Sequence, residues 1–138
     1  MLDSTYAEAH FGLGLTYANM EQYDKAIAEI EKAARLSGER HVILAVLGYI
    51  YAKADRIQDA RKIYDRMMKL SKTIHVSPYC LAFLSLGLEE KDKAIKYLLK
   101  AYEERDGLMI YLKAENIGRE FRTDPRFQDI LRKIGFEP

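Results

Sequence analysis

An all-α superhelix of three helical hairpins, closed by a C-terminal capping segment, is the fold that the sequence predicts, and three sets of residues predict it. Leu13, Leu47 and Leu81 stand 34 positions apart, as do Gly14, Gly48 and Ala82, and as do Ala26, Ala60 and Ala94. A unit copied at that interval, with helical periodicity inside it, makes a solenoid in which each helix pair buries its open face on the next. Small residues are required in the second and third sets, because the two helices of a hairpin cross there and a longer side chain would hold the backbones apart. The units run over about 7–40, 41–74 and 75–108, with the cap at 109–138, and together they make one domain of 138 residues.

Leu2-Asp3-Ser4 occupies the place of Leu36-Ser37-Gly38, which closes the first complete unit. Met1–Thr5 therefore reads as the end of a preceding repeat with an initiator Met added; a natural start at this point is the alternative. Asp3 or Ser4 supplies a capping oxygen for the first helix. That helix is expected over Tyr6–Met20 and its partner over Tyr23–Leu36, with Leu13, Tyr17, Ala26, Ile27, Ile30, Ala33 and Ala34 as the packing face. Glu21 with Lys25, and Glu31 with Arg35, are spaced for i,i+4 pairs on the solvated side. The second unit repeats the pattern at His41–Ala54 and Ile57–Leu70, and the third at Pro78–Leu88 and Asp92–Glu104. Ser77-Pro78 reads as an N-cap followed by proline at the first helical position. The turns NMEQYDKA, KADRIQDA and GLEEKDKA confirm the register independently of the glycines. After Gly107 the repeat lapses. Met109–Ala114 is expected as a short apolar helix, Asn116–Phe121 as a helical turn, and Pro125–Ile134 as a last helix capped by Asp124. The apolar face of that helix, Phe127, Ile130, Leu131 and Ile134, would cover the open core of the last unit.

Composition narrows the function. With 22 Lys+Arg against 21 Asp+Glu there is no overall field to draw nucleic acid or an anionic membrane. The second helix of the second unit is the most basic stretch (Arg56, Arg61, Lys62, Arg66, Lys69 and Lys72), but it lacks the interleaved aromatics that stacking on bases needs, so it reads as a solvated face. No run approaches the ~18 apolar residues of a membrane span. The single cysteine, Cys80, excludes an internal disulfide framework and fits a reducing compartment, so a cytoplasmic location is expected. His41, His75 and Cys80 give too few convergent ligands for a metal. Cys80 lies on an apolar run with no aligned base, and Gly12 and Gly14 sit between apolar residues with no strand before them and no Lys-Ser/Thr after. No catalytic residue, cofactor or metal is expected, and the chain does not read as an enzyme.

The repeated positions, taken with their 34-residue period, resemble the tetratricopeptide repeat across nearly the whole chain. The section from Ser77 to Phe136 is further similar to the C-terminal end of such arrays in prokaryotic multidomain signalling proteins, through Ser77-Pro78-Tyr79, Gly87-Leu88, Glu90-Lys91-Asp92, Lys100–Arg105, Tyr111-Leu112-Lys113 and Asp124-Pro125-Arg126-Phe127. Ala114-Glu115-Asn116 departs from that pattern. In that group the array follows a winged-helix, kinase or cyclase domain and serves as an interaction module. The resemblance thus implies a noncatalytic protein-interaction scaffold, the C-terminal repeat region of a larger regulatory protein.

In tetratricopeptide arrays the first helix of each pair lines the concave face. Carried over by register, this implies partner-binding positions at Phe11, Leu15 and Asn19, at Ala45, Tyr49 and Lys53, and at Tyr79, Phe83 and Gly87. The groove so composed is apolar and aromatic. It suits an amphipathic helix or extended peptide and does not suit the Lys/Arg/Asn clamp by which some members hold a C-terminal carboxylate. The competing reading is that these aromatics pack between units. Self-association, or docking of the edge around Tyr6, Phe11 and Leu13 on upstream repeats, is the alternative function, with nucleic-acid binding behind it.

Overall fold

A computed structural model describes residues 4–106 and 123–133. Seven helices follow in order among them: α1 (Ser4–Asn19), α2 (Tyr23–Leu36), α3 (His41–Lys53), α4 (Ile57–Leu70), α5 (Pro78–Gly87), α6 (Lys91–Glu103) and α7 (Pro125–Lys133). Consecutive helices pack as the hairpins α1–α2, α3–α4 and α5–α6, and each hairpin stacks on the next through α2–α3, α3–α5 and α4–α5. This is the expected all-α superhelix. The expectations at Met109–Ala114 and Asn116–Phe121, and the ends at Asp3 and Ile134, lie outside the described residues.

The layering follows from the side chains. Helices α2, α4 and α6 carry apolar residues on one stripe, such as Ala26, Ile27, Ile30, Ala33 and Ala34, and charge on the other, so one face is buried and one stays wet. Helices α3 and α5 are apolar on nearly every side, from Ile43 to Leu47 and from Pro78 to Ala82, because each is enclosed by helices before and after it. The three crossing alanines, Ala26, Ala60 and Ala94, are fully buried. At Gly14 an added Cβ would press into Ile30 and come within 3.3 Å of the Ala26 carbonyl oxygen, which is the close approach that a small residue permits.

Each helix turns into its partner through a residue in the left-handed region: Glu21 (φ 59°), Asp55 (φ 65°) and Glu89 (φ 60°), again one period apart. The next amide closes the turn, Gln22 N–H to the Tyr17 carbonyl at 2.9 Å, Arg56 to Tyr51 at 2.8 Å and Glu90 to Ser85 at 2.9 Å. The joint between the second and third hairpins ends as the sequence predicts: the Ser77 hydroxyl accepts from Tyr79 N–H at 3.2 Å, with Pro78 opening α5. Asp124 likewise caps α7, accepting from Arg126 N–H at 2.9 Å. Phe127 and Ile130 of α7 are buried in one cluster with Ile95, Leu98 and Ala101 of α6, so the last hairpin is covered.

Ser4 is the first residue of α1. Three expectations need correction. Lys25 sits over the Tyr17 ring, 5.7 Å from its centroid, instead of pairing with Glu21, which stands in the left-handed turn and not on the helix that the i,i+4 spacing assumes. Glu31 accepts from the Tyr51 hydroxyl at 3.2 Å, tying α2 to α3, rather than pairing with Arg35. Leu13 is 42% exposed, whereas its counterparts Leu47 and Leu81 are 5% and 6% exposed. A preceding hairpin covers α3 and α5, and none among the described residues covers α1.

Candidate functional site

The third turn of α3 and the second of α5 meet because Gly87 lets the helices close. A Cβ at Gly87 would stand 3.0 Å from Tyr49 Cα, 3.1 Å from its ring and 3.5 Å from Ala52 Cβ, so the bare backbone is in ordinary contact with α3. Tyr49 is thereby held beside Phe83, their ring centroids 4.6 Å apart and their planes tilted by 53°. The Lys53 ammonium, one turn along α3, lies 5.2 Å from the Tyr49 centroid. Tyr49 and Phe83 are half-buried and Lys53 is exposed. A tilted aromatic pair with a cation on its flank offers π-faces, apolar edge and one positive charge, all attached to packed helices.

Of the positions expected on the concave face, the structure brings Tyr49, Lys53 and Phe83 together. Phe11, Leu15 and Asn19 share a face of α1, which packs chiefly on α2 and has no contact of that extent with α3; Phe11 is half-buried against the core, and Leu15 and Asn19 are exposed. Three positions belong to the interior instead. Ala45 and Tyr79 are 2% and 5% exposed, and Gly87 serves the close approach just described. Tyr79 is buried in the cluster that α6 and α7 complete, a neighbourhood that the 34-residue register says nothing about.

The remaining polar groups serve packing. Burial, then Glu31, pushes the Tyr51 phenol up to about 12, and burial, then its bond to Tyr64, does the same for Tyr97. The Tyr64 and Tyr97 hydroxyls are 2.9 Å apart and link α4 to α6. Along the basic stretch that α4 and the residue before it carry, Arg56 is paired with Asp59 at 2.8 Å, Arg61 with Glu90 at 3.1 Å, and Arg66 with Glu39. These acids neutralise half of the basic stretch, as a solvated face requires. Cys80 is buried. Among the described residues no three His, Cys, Asp or Glu side chains converge as a metal site, and no helix is long and apolar enough to cross a membrane.

Comparison with known proteins agrees with the repeat. Residues 7–39 match the family model of the tetratricopeptide repeat. The chain is similar to anaphase-promoting complex subunit 3 of Schizosaccharomyces pombe, 28% identical over 87 residues, which are 63% of this chain and 13% of that protein. The chain thus spans a small part of the length of this relative. No solved structure is significantly similar. The matched segment is the hairpin α1–α2 with its following turn, and the repeats that the structure stacks after it have the same helical plan. Repeats of this type support a protein–protein interaction module.

Proposed function

We propose that this chain, which carries the tetratricopeptide repeat, holds a helix or extended peptide of a protein partner against the first helices of its hairpins, with Tyr49 and Phe83 as the anchor. Lys53 stands beside the pair to meet an acidic or carbonyl group, and Phe11, Leu15 and Asn19 extend the surface along α1. The observation that carries this reading is the Tyr49–Phe83 pair itself, half-exposed, and held by packed backbone at Gly87. An anchor fixed before binding loses little side-chain entropy when a ligand arrives. The role is noncatalytic. The resemblance of 77–136 to the ends of arrays in multidomain signalling proteins supports a place in a larger regulatory protein, and the single buried cysteine supports the cytoplasm.

The test uses a peptide library displayed on phage, selected on the protein, with affinities of the enriched peptides measured by fluorescence anisotropy. Peptides with an apolar anchor and micromolar affinity are expected. Tyr49→Ala with Phe83→Ala should weaken them by roughly 10- to 100-fold, the scale of losing buried aromatic anchors, with the circular dichroism of the fold retained. Peptides that bind the double variant as tightly as the parent would refute the assignment.

A further inference from the structure

Three side chains between α4 and α6 form a chain that the repeat does not ask for. The Tyr64 hydroxyl stands 2.9 Å from the Tyr97 hydroxyl, and the Tyr97 hydroxyl donates to the Met68 sulfur at 3.6 Å. One period away Tyr64 is answered by Ile30 and Leu98, Tyr97 by Ile63, and Met68 by Ala34 and Tyr102. Neither the paired hydroxyls nor the sulfur therefore belongs to the helix-crossing pattern. Among the described residues α4 and α6 have no broad packing contact with each other. Side chains reach across instead: this chain, the Arg61–Glu90 pair at 3.1 Å, and Lys93 over the Tyr64 ring at 5.6 Å.

A thioether is a weak acceptor, so a hydroxyl that gives its proton to sulfur is poorly served. The same sulfur carrying an oxygen is a strong acceptor. An oxygen ~1.5 Å from sulfur that accepts at ~2.7 Å, with ~120° between the two directions, sets hydroxyl and sulfur ~3.7 Å apart. The separation present is 3.6 Å, so the spacing suits the sulfoxide as it stands. Burial, then the bond to Tyr64, pushes the Tyr97 phenol up to about 12, which keeps its proton available to donate. Met68 is half-buried, whereas Met67 beside it is 0% exposed. Oxidation of methionine follows access, and only the first of the two offers it.

We propose that Met68 is a redox modification site, oxidised by peroxide to the sulfoxide, with Tyr97 placed to donate to the new oxygen. In that step one peroxide oxygen bonds to the sulfur as the O–O bond breaks, and the other leaves as water with both protons. The sulfur gives up two electrons and the peroxide takes them. A sulfoxide ordinarily disrupts the packing around it, because a polar group enters an apolar neighbourhood. Here the oxygen meets a hydroxyl that is itself held by Tyr64, so the modified side chain ties α4 to α6 rather than parting them. The junction joins the second and third hairpins, the two that carry Tyr49 and Phe83, but the site does not depend on what the groove binds.

Graded hydrogen peroxide tests it, with each methionine followed by peptide mass spectrometry and stability by urea unfolding. Met20, 57% exposed, should oxidise first, Met68 next, and Met67 only on unfolding. Met68→Leu, a swap of similar volume, removes the site and reports what oxidation elsewhere costs. The parent should lose no more stability on oxidation than Met68→Leu does. Tyr97→Phe keeps the ring and removes the donor, so its oxidised Met68 is left unpaired. There oxidation should raise the unfolding equilibrium constant roughly five-fold more than in the parent, the scale of one hydrogen bond. Each variant is compared with its own reduced form, so a purely structural contribution of Tyr97 cancels. Met68 that oxidises no faster than Met67 overturns the proposal, and so does a parent that loses as much on oxidation as Tyr97→Phe.

Discussion

Gly12→Ala and Gly48→Ala are the same chemical change in the interior of a first helix, yet only the first should stabilise the protein. Alanine is favoured over glycine in a helix interior by about 1 kcal/mol. At Gly12 a Cβ meets nothing within 4 Å, so the protein should gain that amount. At Gly48 the Cβ would stand well inside van der Waals contact of Leu84 Cδ2 and 3.4 Å from Ile63 Cγ2. Leu84 is 0% exposed, so its side chain can yield only by repacking among its buried neighbours. Overpacking of this kind costs about 1–3 kcal/mol, which cancels or exceeds the propensity gain, and the two variants should differ by about 1–3 kcal/mol, the size of the overlap itself. Urea unfolding followed by far-ultraviolet circular dichroism, at low micromolar concentration, measures both. With Leu84→Ala in the background the overlap is removed, so Gly48→Ala should turn neutral or stabilising, a coupling of about 1 kcal/mol or more. If Gly48→Ala raises the midpoint as much as Gly12→Ala does, close helix crossing is not what selects glycine there.

Three further outcomes follow from single residues. Glu89 holds φ 60° in the turn between α5 and α6; Glu89→Gly removes a strained Cβ and should raise stability by about 0.5–1 kcal/mol in the same urea assay, while a loss would show that the side chain matters more than the turn. The Ser85 hydroxyl is buried without a hydrogen-bond partner, so Ser85→Ala should stabilise by about 1 kcal/mol, and destabilisation would reveal a partner for it. The Arg126 guanidinium beside Asp124 holds that carboxyl down to about 2 from 3.8. A carboxyl depressed in the folded state contributes stability above its unfolded value and loses it as pH falls toward the folded one, so the α7 cap should weaken between about pH 4 and pH 2. Asp124→Asn should flatten that part of the acid limb in urea midpoints taken against pH, and an unchanged limb would assign the loss to other groups.

The hairpins were legible in the sequence because a helix crossing is a local demand: Ala26, Ala60 and Ala94 must be small whatever surrounds them, and all three are fully buried. The turns were legible in place but not in conformation. Glutamate or aspartate at 21, 55 and 89 gives no sign of a left-handed backbone, which glycine would have announced; the clue available was that all three are acids at the same phase of the repeat. Burial was legible only where the covering element is itself periodic. Leu13 reads like Leu47 and Leu81, yet burial belongs to the neighbour, and among the described residues α3 and α5 have a preceding hairpin against them and α1 has none. Tyr79 errs in the opposite direction, a register position expected on the open face that an irregular C-terminal element helps to bury.

Gly87 joins packing to binding, and its replacement separates them. Gly87→Ala places a Cβ 3.0 Å from Tyr49 Cα and 3.1 Å from its ring. Backbone cannot rotate away as a side chain can, so α5 must shift against α3 by a few tenths of an ångström, and the Tyr49–Phe83 pair, now 4.6 Å between centroids, must re-form in another geometry. Gly87 closes α5, where the propensity gain of alanine offsets part of the strain, so stability should change by about 1 kcal/mol or less. A preformed anchor feels small displacements more keenly, because its advantage lies in needing no adjustment on binding. Gly87→Ala should therefore weaken an enriched peptide several-fold while leaving the urea midpoint near that of the parent. Equal weakening by Gly12→Ala, far from Tyr49 in the chain and free of contacts, would show that the loss is general; unchanged affinity in Gly87→Ala would show that the aromatic pair binds without the alignment that Gly87 imposes.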